Sequence, residues 1–196
     1  MTPDNLNKFN QQARIIGAQT EDSEPRAEND FYATEPVAIE ELMKIESINK
    51  KVWEPACGMG HLAKPLIREG YDVRATDLID RGFGTGGVDF LKTYERWDGD
   101  IITNPPYKLA EEFIRHGLLI IPNGNKICMF LKLTFLEGKR RRYLFETYPP
   151  KTVWVSSGRI KCGTNGNFDG CSSMMAQAWY VWEKGYTGET ALRWFN

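Results

Sequence analysis

The feature that most constrains the fold is the unbroken apolar run Ile127-Cys128-Met129-Phe130-Leu131, inside a strand predicted over residues 126 to 133. A strand with one wet face alternates apolar and polar side chains, whereas a buried strand of a parallel sheet is apolar throughout. Pro122-Asn123-Gly124 precedes the run and ends a predicted helix. The run therefore predicts a sheet that is covered by helices on both faces.

Predicted strands and helices alternate along most of the chain. The strands are expected at residues 51 to 53, 71 to 75, 88 to 91, 100 to 103, 126 to 133, 152 to 155 and 176 to 182. The helices are expected at residues 36 to 47, 61 to 69, 110 to 121 and 137 to 147. This alternation predicts an α/β fold with a Rossmann-like, mostly parallel sheet and helices on both faces.

With 196 residues, of which 41% are hydrophobic and 26% charged, the chain has the size of one domain. Residues 1 to 24 are rich in Asn, Gln, Asp and Glu, so we expect a flexible N-terminal arm before a single domain over residues 25 to 196. There is no apolar run of about 18 residues and no secretory pattern, which favours a soluble cytoplasmic protein. The cysteines lack metal-type spacing, so we expect free thiols and no bound metal.

Side chains that accept hydrogen bonds are predicted at the ends of four strands, namely Glu54, Asp77, Asp89 and Asn104. In open parallel sheets, ligands bind beyond the carboxyl ends of the strands. The sequence therefore predicts a binding site at this edge of the sheet.

A glycine turn, Gly58-Met59-Gly60, follows the first of these strands and precedes a predicted helix. Such a turn lets the backbone approach a ligand closely. Asp77 ends the next strand, where an acid can accept both hydroxyl hydrogens of a ribose, and the alternative is that it merely begins a turn. The segment from Gly82 to Gly87 lacks the Lys-Ser/Thr ending of a phosphate loop, so we interpret it as a connector.

Asn104-Pro105-Pro106-Tyr107 ends the strand at residues 100 to 103. The prolines fix φ and carry no N–H, so the turn is stiff and offers carbonyl oxygens as acceptors. This turn suits a flat, amino-bearing group, and the alternative is a rigid turn with a packed tyrosine. Upstream, Thr34 precedes Pro36 and is open to two roles, helix N-cap or ligand contact.

The charge is unevenly distributed despite a net charge of −1. Residues 1 to 50 have a net charge of −5, whereas residues 126 to 161 have a net charge of +7. A basic run, Lys139-Arg140-Arg141-Arg142, opens the predicted helix at residues 137 to 147. It is either a solvated helix face or a surface that contacts phosphates.

Taken in order, these motifs resemble those of the class I S-adenosylmethionine-dependent amino-methyltransferases, and most closely the DNA N6-adenine methyltransferases of bacteria and their phages. The resemblance covers roughly residues 29 to 137, with a weaker one at residues 176 to 182. It implies a seven-stranded sheet whose last strand pair is antiparallel. It also implies methyl transfer to the N6 amino group of adenine in DNA, in a bacterial cell or a phage-infected host.

The resemblance assigns residues to S-adenosylmethionine, with S-adenosylhomocysteine as product. They are Phe31, Tyr32, Thr34 and Pro36 near its methionine end, Glu54, Pro55, Ala56, Gly58 and Gly60 beneath it, Asp77 at its ribose, and Asp89 and Phe90 at its adenine. It likewise assigns the catalytic turn Asn104, Pro105, Pro106 and Tyr107. Tyr107 would stack on the acceptor base, and Phe168 is the expected second clamp, with ordinary packing equally open.

The chain departs from this family because the 89 residues after Tyr107 leave no room for a target-recognition domain. We expect a short target site or little sequence preference, with Arg140, Arg141 and Arg142 at the DNA. The expected state is a monomer or weak dimer without a membrane partner. RNA bases or other planar amino or amide nitrogens remain alternative acceptors, and an inactive nucleic-acid-binding module is the non-enzymatic alternative.

Overall fold

A computed structural model describes residues 32 to 164 and 175 to 196. The strands of its main sheet are β2 (Lys51–Glu54), β3 (Asp72–Ala75), β4 (Asp100–Thr103), β5 (Lys126–Lys132), β6 (Thr152–Ser156), β8 (Gln177–Glu183) and β9 (Ala191–Phe195). Their order across the sheet is β3-β2-β4-β5-β8-β6-β9. Among these seven strands, only β8 runs opposite to the others. The predicted α/β class with a mostly parallel sheet is therefore confirmed.

Helices cover both faces of this sheet. They are α1 (Val37–Ile45), α2 (Ala63–Arg68), α3 (Ala110–Ile120) and α4 (Arg142–Thr147). Hydrophobic residues of α1 and α2 pack on one face, and those of α3 and α4 pack on the other. Gly117 lets α3 lie close to the sheet, because a Cβ there would be 2.6 Å from Cδ1 of Ile127.

Strand β5 contributes to both hydrophobic cores, as its continuous apolar sequence predicts. Ile127, Met129 and Leu131 face the core beneath α3 and α4, whereas Cys128 and Phe130 face the core beneath α1 and α2. All five residues are buried. The alternation of side chains along a strand thus places hydrophobic contacts on both sides of the sheet.

The prediction of a strand at residues 88 to 91 is wrong. Asp89 is extended, and its carboxylate accepts the N–H of Leu91, which starts a 3-10 turn over Phe90–Lys92. This local hydrogen bond gives the backbone an alternative to a sheet ladder. As a result β3 is one edge of the sheet, and the seventh strand is β9, which pairs in parallel with β6 at the other edge.

The helix predicted at residues 137 to 147 is shorter than expected. Gly138 has a φ of 107°, which is outside the helical region, and a 3-10 turn over Lys139–Arg141 precedes α4. The basic residues therefore lie mostly before the helix. Two further 3-10 turns occupy Tyr107–Leu109 and Leu133–Leu136.

A second, two-stranded sheet joins distant parts of the chain. Strand β1 (Tyr32–Thr34) pairs antiparallel with β7 (Cys162–Thr164), with Thr34 opposite Cys162. The next residue continues the pairing, since Glu35 donates its N–H to the carbonyl of Lys161 at 3.1 Å. The carboxylate of Glu35 accepts the N–H of Lys161 at 2.8 Å.

In the described part of the chain, none of the helices has the length and apolar character needed to cross a membrane. Nor do its His, Cys, Asp and Glu side chains form a group of three or more that could hold a metal ion.

Candidate active site

A cavity of about 480 Å³ lies at the carboxyl ends of β2, β3 and β4. The predicted site residues in its wall are Thr34, Glu54, Pro55, Ala56, Asp77, Asp89, Phe90, Asn104 and Pro106. The structure therefore brings the four acceptor side chains singled out in the sequence, Glu54, Asp77, Asp89 and Asn104, into the wall of one cavity.

The glycine turn after β2 is held by the glycine-rich segment at residues 82 to 87. Gly58 and Gly60 both have positive φ, 54° and 80°. A Cβ on Gly60 would be 2.6 Å from the ring of Phe83, so this glycine makes room for that ring. Neither glycine forms part of the cavity wall, which is built here by Ala56 and Cys57. The close approach to the turn that the glycines predict is thus made by another part of the protein, because the Phe83 ring packs against Gly60.

Asp77 ties the glycine turn to the end of β3. One carboxylate oxygen accepts the N–H of Gly58 at 2.8 Å, and the other accepts the N–H of Ile79 at 2.9 Å. The bond to Ile79 shows that Asp77 does begin a turn, as the alternative interpretation proposed. Its place in the cavity wall keeps a ligand contact open as well.

Arg81 is a cavity residue that the sequence interpretation missed. Its guanidinium donates to the Asp77 carboxylate at 3.0 Å, and the two side chains are 17% and 11% exposed. The signal in the sequence was an acid and an arginine four residues apart, which is also the commonest arrangement of a surface pair on a helix. Asp77 and Arg81 lie in a turn after β3 and not on a helix, so their four-residue spacing did not predict the ion pair.

Glu54 is buried in the cavity wall, with 2% of its surface exposed. Burial raises the pKa of its carboxyl well above the usual value, the backbone N–H of Ala63 lowers it, and the charge of Asp77 raises it further. Its Oε2 atom has no hydrogen-bond partner among the described residues. A buried polar atom in this condition is costly unless a ligand supplies the partner.

Asp89 and Phe90 both line the cavity, but each also has a structural role. Asp89 caps the 3-10 turn that follows it and forms an ion pair with Lys92 at 3.1 Å. Phe90 is 2% exposed and packs between the rings of Trp53 and Phe113, with centroid distances of 5.2 and 4.9 Å. Most of the Phe90 ring is therefore part of the core beneath the cavity.

Asn104 follows β4 and contacts the N-terminal segment. Its Nδ2 donates a hydrogen bond to Oγ1 of Thr34 at 2.8 Å, across 70 residues of sequence. The N-cap role for Thr34 is wrong, because α1 begins at Val37 with Pro36 as its N-cap and without a side-chain capping bond. Thr34 instead joins the cavity to the predicted catalytic turn.

The rest of this turn is only partly in the cavity wall. Pro106 lines the cavity, whereas Pro105 is buried and is not among the residues of the wall. Tyr107 starts a 3-10 turn and packs against the core, and the ammonium of Lys132 lies 5.0 Å from its ring centroid. A base stacked on Tyr107 would therefore share this ring with a cation.

Other predicted residues lie apart from the cavity. Pro36 is exposed, and neither it nor Arg140, Arg141 and Arg142 belongs to the cavity wall. Phe31 and Phe168 lie outside the described residues, and Tyr32 is placed through its strand alone.

Arg141 makes structural contacts that its predicted role at a nucleic acid did not anticipate. Its side chain donates to the backbone carbonyls of Thr134, Phe135 and Glu137 and so closes the preceding turn. Arg142 pairs with Glu146 at 2.6 Å on the surface. Arg140 is exposed beside them.

Two titratable groups of the cavity wall were also not predicted, Cys57 and His61. Burial and the charges of Glu54 and Asp77 raise the pKa of the Cys57 thiol to about 12, so the thiol is protonated at neutral pH. Burial and the nearby Lys64 lower the pKa of His61. Its burial and raised pKa thus disfavour the Cys57 thiolate, which is the nucleophilic form of cysteine.

Comparison with known proteins identifies the fold through structure alone. No protein-family model matches the sequence, and curated proteins give no significant sequence match. A protein from Listeria monocytogenes assigned as a class I S-adenosylmethionine-dependent methyltransferase superposes with a TM-score of 0.56 at 12% identity, over 97% of this chain and 72% of that one. The main sheet and its helices thus have the class I methyltransferase fold.

Two further structures show how widely this fold is used. A protein from Lactococcus lactis assigned as a hemolysin has a TM-score of 0.57 at 13% identity, over 80% of this chain and 91% of that one. A protein from Pyrococcus horikoshii assigned as an RNA methyltransferase has a TM-score of 0.52 at 12% identity, over 93% and 85%. Likeness at this level identifies the fold and leaves the activity to the site.

Proposed function

We propose that this protein transfers a methyl group from S-adenosylmethionine to the N6 amino group of adenine in DNA. The observation that supports this most directly is the position of Asn104 and Pro106 in the wall of the cavity formed by Glu54, Asp77 and Asp89. An amino-binding turn and a candidate nucleoside site are thereby adjacent.

The cavity residues fit S-adenosylmethionine. The buried Oε2 of Glu54 lacks a hydrogen-bond partner among the described residues, and an α-ammonium group is a suitable donor for it. Asp77 and Asp89 offer carboxylate oxygens to ribose hydroxyls and an adenine amino group, and Phe90, Leu109 and Phe113 give the wall an apolar surface. When bound, S-adenosylmethionine supplies an electrophilic methyl group on a sulfonium.

Asn104 and Pro105 would act on the acceptor nitrogen. The lone pair of an adenine N6 is delocalised into the ring, which makes it a poor nucleophile. Two acceptors, the Asn104 side-chain oxygen and the Pro105 carbonyl, would take its two N–H bonds and favour a pyramidal nitrogen with a localised lone pair. The same oxygens stabilise the positive charge that develops on the nitrogen during transfer.

The chemical balance of the step requires no catalytic base. The nitrogen–methyl bond forms as the sulfur–methyl bond breaks, and the resulting ammonium is acidic and loses a proton to water. The work of the protein is to hold the two reactants in line and to keep the two acceptors fixed.

DNA is the favoured substrate because of the charge of the segment that follows the turn in sequence. Residues 126 to 161 carry a net charge of +7, and the exposed Lys139 and Arg140 come after the carboxyl end of β5, which is parallel to the strand that precedes Asn104. Phosphates are the natural partners of such a surface. We expect little sequence selection, and a duplex substrate would have to extrude the adenine.

The test is transfer of labelled methyl from S-adenosylmethionine to unmethylated DNA, RNA and protein in parallel reactions. Label on DNA that digests to the nucleoside N6-methyl-2′-deoxyadenosine is the expected result. Label on RNA or protein alone would overturn the DNA assignment while keeping the enzyme class. Binding of nucleic acid without transfer to any acceptor would support the non-enzymatic alternative.

A further inference from the structure

The N-terminal segment is in direct contact with the predicted catalytic amide. Thr34 is 2% exposed, and its Oγ1 accepts a hydrogen bond from Nδ2 of Asn104 at 2.8 Å. Both residues line the cavity. The residue that the family resemblance assigns to the cofactor therefore forms a hydrogen bond with the proposed acceptor-binding side chain.

In the structure the Asn104 amide faces Thr34 with its nitrogen. The oxygen and nitrogen of a planar amide lie on opposite sides of Cγ, so with Nδ2 toward Thr34 the Oδ1 atom lies on the side away from it. The reverse orientation would present an N–H₂ donor where the proposed chemistry needs an acceptor. A donor there would repel the amino hydrogens of the substrate instead of binding them.

Thr34 is itself held firmly. Its strand β1 pairs with β7, and the bonds between Glu35 and Lys161 continue this pairing beyond Thr34. Ala33, the residue before it, is 4% exposed. The hydroxyl is thus presented from a paired strand and not from an unrestrained loop, as preorganisation of a catalytic side chain requires.

We infer that Thr34 is the positioning residue that sets the orientation of the Asn104 amide, an inference that rests on the proposed function. Thr34 does not act on the substrate in this scheme. It holds the side-chain oxygen of Asn104 as an acceptor before the substrate arrives, which avoids reorientation during the reaction.

The experiment compares Thr34→Val, which has the same shape but no hydroxyl, with Thr34→Ser, which keeps the hydroxyl. Three measurements are made on each folded protein: the ¹⁵N–¹H resonances of the Asn104 side-chain amide without ligands, the Kd of S-adenosylmethionine by calorimetry, and kcat with KM for the nucleic acid. The Asn104→Ala spectrum identifies the amide resonances. Thr34→Ala serves as a second variant without the hydroxyl if Thr34→Val does not fold.

Thr34→Val is expected to shift the Asn104 amide resonances and to lower kcat by about 10-fold or more, with KM nearly unchanged. Thr34→Ser is expected to keep the wild-type resonances and to stay within about threefold of wild-type kcat. Cofactor Kd should change little in both. A lower kcat with an unchanged cofactor Kd distinguishes a role in positioning Asn104 from a role in binding the cofactor.

Wild-type kcat in Thr34→Val, or an equal loss in Thr34→Val and Thr34→Ser, would overturn the inference. Failure of the wild-type protein to methylate any acceptor would instead contradict the proposed function. The amide resonances distinguish these cases, because unchanged Asn104 resonances in Thr34→Val overturn the positioning role without any activity measurement.

Discussion

Asp77 accepts the backbone N–H of Gly58 at 2.8 Å, so the acid that follows β3 holds the turn that follows β2. The resemblance assigned these two residues to different parts of the cofactor. In the structure they form one unit, and a substitution at Asp77 acts on the turn as well as on any ligand.

Asp77→Ala is therefore expected to lower both cofactor affinity and stability. The N–H groups of Gly58 and Ile79 lose their acceptor, and an unsatisfied buried donor costs about 1–3 kcal/mol. Calorimetry should show binding of S-adenosylmethionine weakened by about 10-fold or more, and urea unfolding should show the loss of stability. The matched control is Asp98→Ala, at an exposed aspartate. Unchanged cofactor affinity in Asp77→Ala would remove Asp77 from the site.

Asn104→Ala is expected to lower kcat by at least about 100-fold, as loss of a key preorganised hydrogen-bonding group does in other enzymes. The Kd of S-adenosylmethionine should stay close to the wild-type value, because the proposed role of Asn104 concerns the acceptor nitrogen. Labelled methyl transfer and calorimetry measure the two quantities. The control is Asn123→Ala, which changes an exposed asparagine shortly before the amino end of β5. Retained transfer in Asn104→Ala would show that the turn is only structural.

Glu54 predicts a pH dependence of stability that a glutamine should remove. The folded-state pKa of Glu54 is raised above the ordinary value of 4.5, so the folded protein binds more protons than the unfolded chain. Stability is therefore lost as pH rises from about 4.5 toward the folded pKa.

Glu54→Gln should flatten this dependence and should be more stable than the wild type at neutral pH without cofactor. Urea unfolding from pH 4 to pH 8 measures it, with the exposed Glu137→Gln as control. The same variant should bind S-adenosylmethionine more weakly if Glu54 receives the ammonium. Parallel stability curves for wild type and Glu54→Gln would contradict the assignment.

The neighbouring arginines Arg140 and Arg141 are expected to behave differently. Arg141 binds backbone carbonyls of Thr134 and Phe135, so Arg141→Ala should lower the free energy of unfolding by about 1–3 kcal/mol. Arg140 is exposed, so Arg140→Ala should leave stability unchanged. If Arg140 contacts a phosphate, that variant should reduce by about 1 the slope of log K for DNA against log salt.

Unfolding curves together with DNA titrations at several salt concentrations test this pair. An unchanged salt slope in Arg140→Ala would remove it from the nucleic-acid surface. Full stability of Arg141→Ala would show that its backbone contacts are dispensable.

The buried strands were predictable from sequence because their environment appears in their composition. Strand β5 is apolar on both faces because it contacts both cores, and its predicted extent agrees with Lys126–Lys132 to within one residue. Strand β9 carries no such signal, since Leu192 and Trp194 are exposed at the sheet edge. The three-residue strands β1 and β7 likewise carry no sequence signal, because their pairing depends on tertiary structure.

The candidate site was predictable at the level of which strand ends converge, but not at the level of contacts. Side-chain hydrogen bonds such as Asp77 to Gly58 and Asn104 to Thr34 join residues 19 and 70 positions apart, and no local pattern encodes them. The strand that was predicted at residues 88 to 91 and does not form shows the reverse case. There a two-residue hydrogen bond from Leu91 to Asp89 outweighed the strand expected from an apolar run.

Pairing of β1 with β7 sets an order for assembly of the site during synthesis. Thr34 is made well before its strand partner at Cys162–Thr164, so the ribosome must complete the chain through Thr164 before β1 can be paired. Contacts this distant in sequence form slowly because a long loop must close first. On the ribosome, a nascent chain that has passed Tyr107 but not Thr164 would hold both Thr34 and the candidate catalytic turn, but not the strand β7 that pairs with β1.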